Sequence, residues 1–201
     1  MPEAVIFDYG AGNLLSLKVA LEKVGLPTKI RSTSKQLRDA DAIVLPGVGN
    51  FSAALEKLNT VREGILEAVE SGIPLLGICL GLQLFFQKSE EGPGNGLGLF
   101  EGKTIRLPDS VKVPHMGWNT LSIVKESKIL EGIDDESYVY FVHSLYPVPI
   151  NKKLVCTETA YGTSFVSTIA SENVFGTQFH PEKSGEIGLT ILKNFAGIVA
   201  K

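Results

Sequence analysis

Leu75-Leu76-Gly77-Ile78-Cys79-Leu80-Gly81 sets an apolar run directly before a cysteine bracketed by glycines. A short unbroken apolar run reads as a buried strand, and residues 82–88 are predicted to begin a helix. Together they make a strand-to-helix turn of the G-x-nucleophile-x-G kind, with Cys79 where esterases carry serine. A turn this tight leaves no room for a Cβ atom on either side, which accounts for Gly77 and Gly81. Unpaired N–H groups and the positive dipole end at a helix start favour a thiolate over a thiol.

Outward from this turn, the first half alternates strand and helix. Ala4–Phe7, Thr28–Arg31 and Ala42–Leu45 read as strands. Leu14, Leu17, Leu21 and Val24 recur at helical spacing before Gly25, and Val61, Ile65, Leu66 and Val69 do so before Ser71-Gly72. Such alternation predicts a mostly parallel central sheet covered by helices on both faces. After the glycine-rich stretch 91–98 come β-leaning segments at 103–106, 138–142, 154–157, 165–170 and 174–179. They follow too closely for helical crossovers, so an antiparallel extension is expected. Residues 187–199 close the chain as a helix. The expected fold is α/β, and residues 1–201 are expected to form a single domain.

Composition narrows the function. The 201 residues are 44% hydrophobic and 20% charged, with a formal net charge of −3. Lys and Arg are scattered, so no nucleic-acid partner is expected. No apolar run approaches the roughly 18 residues that span a bilayer, and no leader is evident, which points to the cytosol and away from a membrane. Cys79 and Cys156 are too few for a disulfide framework or a zinc cluster, so no metal is expected. Gly10-Ala11-Gly12-Asn13 follows the first strand, but Leu15 breaks the G-x-G-x-x-G pattern, and no cofactor is expected.

A cysteine nucleophile needs a base. Of His115, His143 and His180, the last lies in Gln178-Phe179-His180-Pro181-Glu182 after a predicted strand. Glu182 is placed to hold the imidazole and fix its tautomer, with Pro181 stiffening the link. Acyl transfer also needs oxyanion donors, and the Leu80 N–H is one. Pro46-Gly47-Val48-Gly49 ends another strand and offers a second. In a parallel sheet the carboxyl ends of the strands share one edge, so this turn and Cys79 are expected to face one crevice. Gly47 tolerates both signs of φ, which also suits the turn to gating. Cys156, within a β-run, reads as a core residue.

These segments resemble the class I (triad) glutamine amidotransferases. The resemblance rests on residues 77–83, on Pro46-Gly47-Val48-Gly49 and on His180-Pro181-Glu182. Within that class the chain is similar to the glutaminase subunits of imidazole glycerol phosphate synthases. That likeness is carried by residues 8–16, by Pro114-His115-Met116-Gly117-Trp118-Asn119, by Tyr140-Phe141-Val142-His143-Ser144 and by residues 175–184. It implies that Cys79 forms a γ-glutamyl thioester, that His180 shuttles protons and that Glu182 orients it. It further implies that Leu80 and Val48, with Gly49, form the oxyanion site. Gly47, Gln83, Glu91, His143 and Ser144 would then bind L-glutamine. The implied partner is a (β/α)₈-barrel cyclase subunit in a heterodimer, met near Trp118 and Lys183, which receives the ammonia for histidine biosynthesis. Leu145 departs from the family, which often has Tyr there.

Rival readings are the glutaminase subunit of anthranilate or aminodeoxychorismate synthase, opposed by residues 114–119 and 8–16. The pyridoxal-phosphate synthase glutaminase is opposed by Val48-Gly49-Asn50. A stand-alone cysteine peptidase or γ-glutamyl hydrolase would use the same elbow. A non-enzymatic interaction protein would have no need of an intact elbow, base and orienter.

Overall fold

A computed structural model describes residues 1–10, 13–33, 37 and 40–201. Ala11 and Gly12, which complete the glycine pattern after the first strand, lie outside the described residues. Strands β1 (Ala4–Phe7), β2 (Thr28–Arg31), β3 (Ala42–Leu45), β4 (Leu75–Ile78) and β13 (Val174–Thr177) run parallel in the order β2-β1-β3-β4-β13. Beyond β13 the sheet continues antiparallel through β12 (Ser164–Ser171), β11 (Val155–Ala160) and β8 (Ser122–Ile123). The parallel half and its antiparallel extension are those expected from the spacing of the apolar runs.

Why β1, β3 and β4 read as continuous apolar runs is now plain: every residue of each is buried. Ile6, Val44 and Leu76 face one core, against Leu17 and Leu21 of helix α1 (Leu14–Lys23) and Ile191, Leu192 and Phe195 of helix α5 (Gly185–Val199). Phe7, Ile43 and Leu45 face the other, with Phe51, Leu55 and Leu58 of α2 (Phe51–Asn59) and Ile65 of α3 (Arg62–Glu70). Burial on both faces removes the polar–apolar alternation of a half-exposed strand.

Among the described residues there are two smaller sheets: β10 (Leu145–Pro149), β6 (Phe100–Arg106) and β5 (Phe86–Ser89) in that order, and a ribbon of β7 (His115–Thr120) with β9 (Tyr138–His143). Here expectation needs correction. Instead of a helix from residue 82 to 88, helix α4 is a single turn, Leu80–Gln83, and β5 (Phe86–Ser89) follows. Leu84, Phe85 and Phe86 are all fully buried, a run that no one-sided helix accommodates. The chain there is held instead by Leu97 N–H to Leu84 O (2.6 Å), Gly96 N–H to Gln87 O (3.0 Å) and pairing with β6 (Phe100–Arg106). Helix α2 and strands β7 and β10 (Leu145–Pro149) are additional elements. Helix α2 carries a readable signal in Asn50, whose side chain accepts from Ala53 N–H (3.2 Å), and in Phe51, Ala54, Leu55 and Leu58 on one face. Strand β10 contains Pro147 and Pro149, which a sheet edge tolerates.

Candidate active site

Cys79 leaves β4 with φ +49° and ψ −101°, a left-handed conformation that costs a non-glycine residue strain. Added to Gly77, a Cβ would lie 2.5 Å from Phe85 Cζ and 2.7 Å from the Gly81 carbonyl carbon; added to Gly81, it would run into the Leu45 carbonyl. The elbow is therefore tight for the reason its two glycines suggest. Because β4 lies between β3 and β13 in parallel register, the ends of all three strands meet at one edge. That edge gathers the 46–49 turn, Cys79 and the segment 178–182.

His180 is buried, and its Nδ1 lies 2.8 Å from Glu182 Oε1. Main-chain bonds fix the segment: His180 N–H donates to Tyr140 O (2.9 Å), and Ser184 Oγ donates to His180 O (2.7 Å). The Nε2 atom is buried and has no hydrogen-bond partner, and Cys79 is near enough to act on the ring. Burial alone lowers the His180 pKa, but the adjacent Cys79 sulfur and the Glu182 carboxylate outweigh it and lift it to about 10. The imidazole is thus protonated at neutral pH, the state in which it can protonate a departing amine.

The 46–49 turn packs directly on this pair. A Cβ on Gly47 would meet Ile78 O at 2.6 Å, Cys79 Cβ at 3.0 Å and His180 Cε1 at 3.0 Å. Close approach explains this glycine. In this turn the positive φ is at Gly49, +135°.

Gly47, Val48, Gly49, Cys79, Leu80, Gln83, Glu91, His143 and Ser144 all line one pocket of about 230 Å³. A larger, shallower groove along residues 126–133, about 640 Å³, is lined by neither His nor Cys. Within the site pocket, some side chains already hold partners. Glu91 Oε2 accepts the Phe51 N–H (2.7 Å), capping α2. Gln83 Nε2 donates to Leu145 O (3.0 Å) and Gln178 Oε1 (3.2 Å).

His143 has both ring nitrogens engaged. A carbonyl only accepts, so the Nδ1–H donates to Leu145 O (2.9 Å), and Nε2 accepts from His115 Nδ1–H (3.1 Å). What His143 presents to the pocket is its strand and ring edge. Burial lowers its pKa to about 3 and that of His115 to about 4. Both fall below the ordinary value near 6.5, so the unfolded chain binds more protons in the intervening range. Their contribution is complete above about pH 6.5 and is lost as pH falls toward 4 and then 3. The thermal midpoint should therefore drop over that interval, and His115→Asn should flatten the drop. A midpoint insensitive to pH between 6.5 and 4 would contradict the neutral pair.

Trp118 and Lys183 are both exposed on one side of the site. Cross-strand pairing of Trp118 with Tyr140 and of Thr120 with Tyr138 puts these side chains on the outer face of the β7–β9 ribbon, together with Met116. Met116, Trp118 and Tyr138 are each more than half exposed, an apolar patch beside the Pro181–Lys183 turn. Cys156 is fully buried, and burial pushes its thiol pKa up, as befits a core residue.

The residue that sequence reasoning left without a role is Gln178, whose Nε2 lies 3.3 Å from Cys79 Sγ. Its two-residue spacing from His180 is the available signal, because alternate residues of an extended segment face the same way. Tyr9 is a second such group. It is buried, its hydroxyl has no partner, and burial followed by the nearby Cys79 charge raises its pKa well above 10.

An elbow cysteine beside a histidine–carboxylate pair, on this sheet, defines a class of amide-cleaving enzyme. Residues 5–198 match the family described as glutamine amidotransferase class-I. The chain belongs to that family and is a glutamine amidotransferase, a glutaminase enzyme. Its relatives include the protein named imidazole glycerol phosphate synthase subunit HisH from three sources. That of Methanothermobacter thermautotrophicus is 51% identical over 96% of this chain and 98% of its own length. That of Pyrococcus furiosus is 48% identical over 97% and 98%. That of Aquifex aeolicus is 52% identical over 95% and 94%. Among solved structures, PurLQS from Thermotoga maritima superposes with a TM-score of 0.79 at 20% identity, covering 98% of both chains, a likeness of fold.

Proposed function

We propose that this chain is the glutaminase subunit of an imidazole glycerol phosphate synthase, working as one domain over residues 1–201 in the cytoplasm. The observation that carries the reading is that Cys79, which lines the pocket with Gly47, Val48 and Gly49, is packed at the same sheet edge as the His180–Glu182 pair. In it, the Cys79 sulfur attacks the carboxamide carbon of L-glutamine and a tetrahedral oxyanion forms. The Leu80 N–H, in the first turn of α4 where no intrahelical acceptor exists, supports that oxyanion together with the Val48 or Gly49 N–H. His180 donates its proton to the departing ammonia, leaving a γ-glutamyl thioester. It then takes a proton from water, which attacks the thioester, and glutamate leaves. Glu182 holds the Nδ1–H and stabilises the imidazolium throughout. Gln83, Glu91, Ser144 and the strand at His143 hold the amino-acid head group.

The ammonia then passes to a (β/α)₈-barrel cyclase subunit in a heterodimer. Supporting this is the exposed apolar patch of Met116, Trp118 and Tyr138 beside the triad segment. An apolar patch rimmed by polar residues marks an interaction surface. Trp118 serves as its anchor and Lys183 as the charge next to the triad.

The isolated chain is expected to hydrolyse glutamine slowly and to accelerate about 10²–10³-fold with the cyclase and its nucleotide ligand, the range associated with one oxyanion donor. Lys183→Ala should weaken that stimulation more than assembly. Steady-state glutaminase assays with and without the partner decide it. Full activity alone, unchanged on adding cyclase and ligand, would revive the stand-alone hydrolase.

A further inference from the structure

We propose that Gln178 is a catalytic residue, donating a hydrogen bond from its side-chain amide to the Cys79 sulfur, and that Gln83 is the positioning residue that keeps this amide the right way round. The proposal deepens the glutaminase reading and rests on it for the role of Cys79.

Gln178 is fully buried, with Nε2 3.3 Å from Cys79 Sγ. A carboxamide has a donor end and an acceptor end, so its orientation decides whether the sulfur meets hydrogens or lone pairs. The surroundings fix it. Leu145 O can only accept, so the end of Gln83 that faces it is the NH₂ group, at 3.0 Å. The second hydrogen of the same NH₂ is directed to Gln178 Oε1 at 3.2 Å. The Gln178 oxygen is therefore taken, and its NH₂ is left for the sulfur. Flipping Gln178 would set NH₂ against NH₂ at one end and oxygen against sulfur at the other. Leu145 O is itself held by the His143 Nδ1–H, so the orienting carbonyl does not stand alone.

The sulfur needs such a donor. The helix behind it is the single turn Leu80–Gln83, so little macrodipole stands behind the thiolate. The Val142 carbonyl, 3.7 Å from Sγ, is an acceptor and offers a sulfur anion no hydrogen. With the proton on His180, the sulfur beside the imidazolium is a buried anion, which is costly without a hydrogen-bonding partner. An amide N–H supplies one and, being non-titrating, does not compete for the proton. The same bond serves again when the thioester intermediate collapses and the sulfur leaves as a thiolate.

The test uses the full chain in a Cys156→Ala background, so that Cys79 is the sole thiol. Alkylation by iodoacetamide is followed as a function of pH, and kcat and KM for glutamine are measured in parallel. Gln178→Met, close in size and without an N–H, should be alkylated about tenfold more slowly near neutral pH, and its rate should converge on that of the parent at strongly alkaline pH, where both thiols are ionised. A tenfold deficit corresponds to about 1.4 kcal/mol. Turnover should fall, with KM changing less. Gln83→Met should show the same alkylation deficit, and the double variant no further one. Alkylation profiles of Gln178→Met and Gln83→Met that superpose on the parent would overturn the inference; either folded variant suffices if the other does not fold. Alkylation requires no glutamine, so that failure is distinct from failure of the glutaminase reading, which would appear as turnover retained by Cys79→Ala.

Discussion

Cys79→Ala is expected to abolish glutamine hydrolysis, with a loss on the order of 10⁴–10⁶-fold. Ammonia-dependent synthesis by the complex with the cyclase should persist, because that reaction is assigned to the other chain. The expectation follows from the elbow. Cys79 alone among the two cysteines sits at a strained turn, with His180 and Gln178 both next to it. Alanine removes the nucleophile and leaves the turn's φ no worse strained. Cys156→Ala provides the contrast: its sulfur is enclosed in the core and bonded to Leu154 O at 3.6 Å, so turnover should be nearly unchanged. Glutaminase activity in Cys79→Ala, or its loss in Cys156→Ala, would place the nucleophile elsewhere.

Glu182→Gln should lower kcat by about 10⁴-fold, the scale seen when a triad carboxylate becomes an amide, with KM for glutamine nearly constant. An amide neither stabilises the imidazolium nor enforces the Nδ1–H tautomer that the 2.8 Å contact demands. A second signature follows from electrostatics. The Glu182 charge contributes to lifting the His180 pKa to about 10, so its removal lowers that pKa. The alkaline limb of the residual activity should therefore move to lower pH. A rise in KM with kcat intact would make Glu182 a binding residue.

The sequence was most legible where local chemistry and packing agreed. β1, β3 and β4 announce themselves as unbroken apolar runs because both of their faces are buried. The elbow is readable because Gly77 and Gly81 are demanded by contacts with Phe85 and Leu45 that no side chain survives. Segment 82–88 failed for the opposite reason. Its apolar residues suit a helix or a strand, and the choice is made by residues 96–104, which are distant in sequence from the pattern being read. The ribbon β7–β9 hides similarly: Gly117 and Asn119 are poor strand formers, kept extended by pairing with Phe141 and Val139. At the site, the resemblance to the family implied which side chains gather round the pocket, but not how they divide their hydrogen bonds. That His143 spends both nitrogens on Leu145 and His115, and Gln83 both hydrogens on Leu145 and Gln178, depends on a third dimension that spacing does not carry.

The central claim is that Cys79 is the atom that glutamine acylates, and covalent labelling tests it most directly. Incubation with a diazoketone analogue of glutamine, followed by peptide mass spectrometry, should place one label on the Cys79 peptide, none on the Cys156 peptide, and inactivate in step with labelling. Excess glutamine should protect. Labelling of Cys156, or complete labelling of Cys79 with hydrolysis undiminished, would contradict the account.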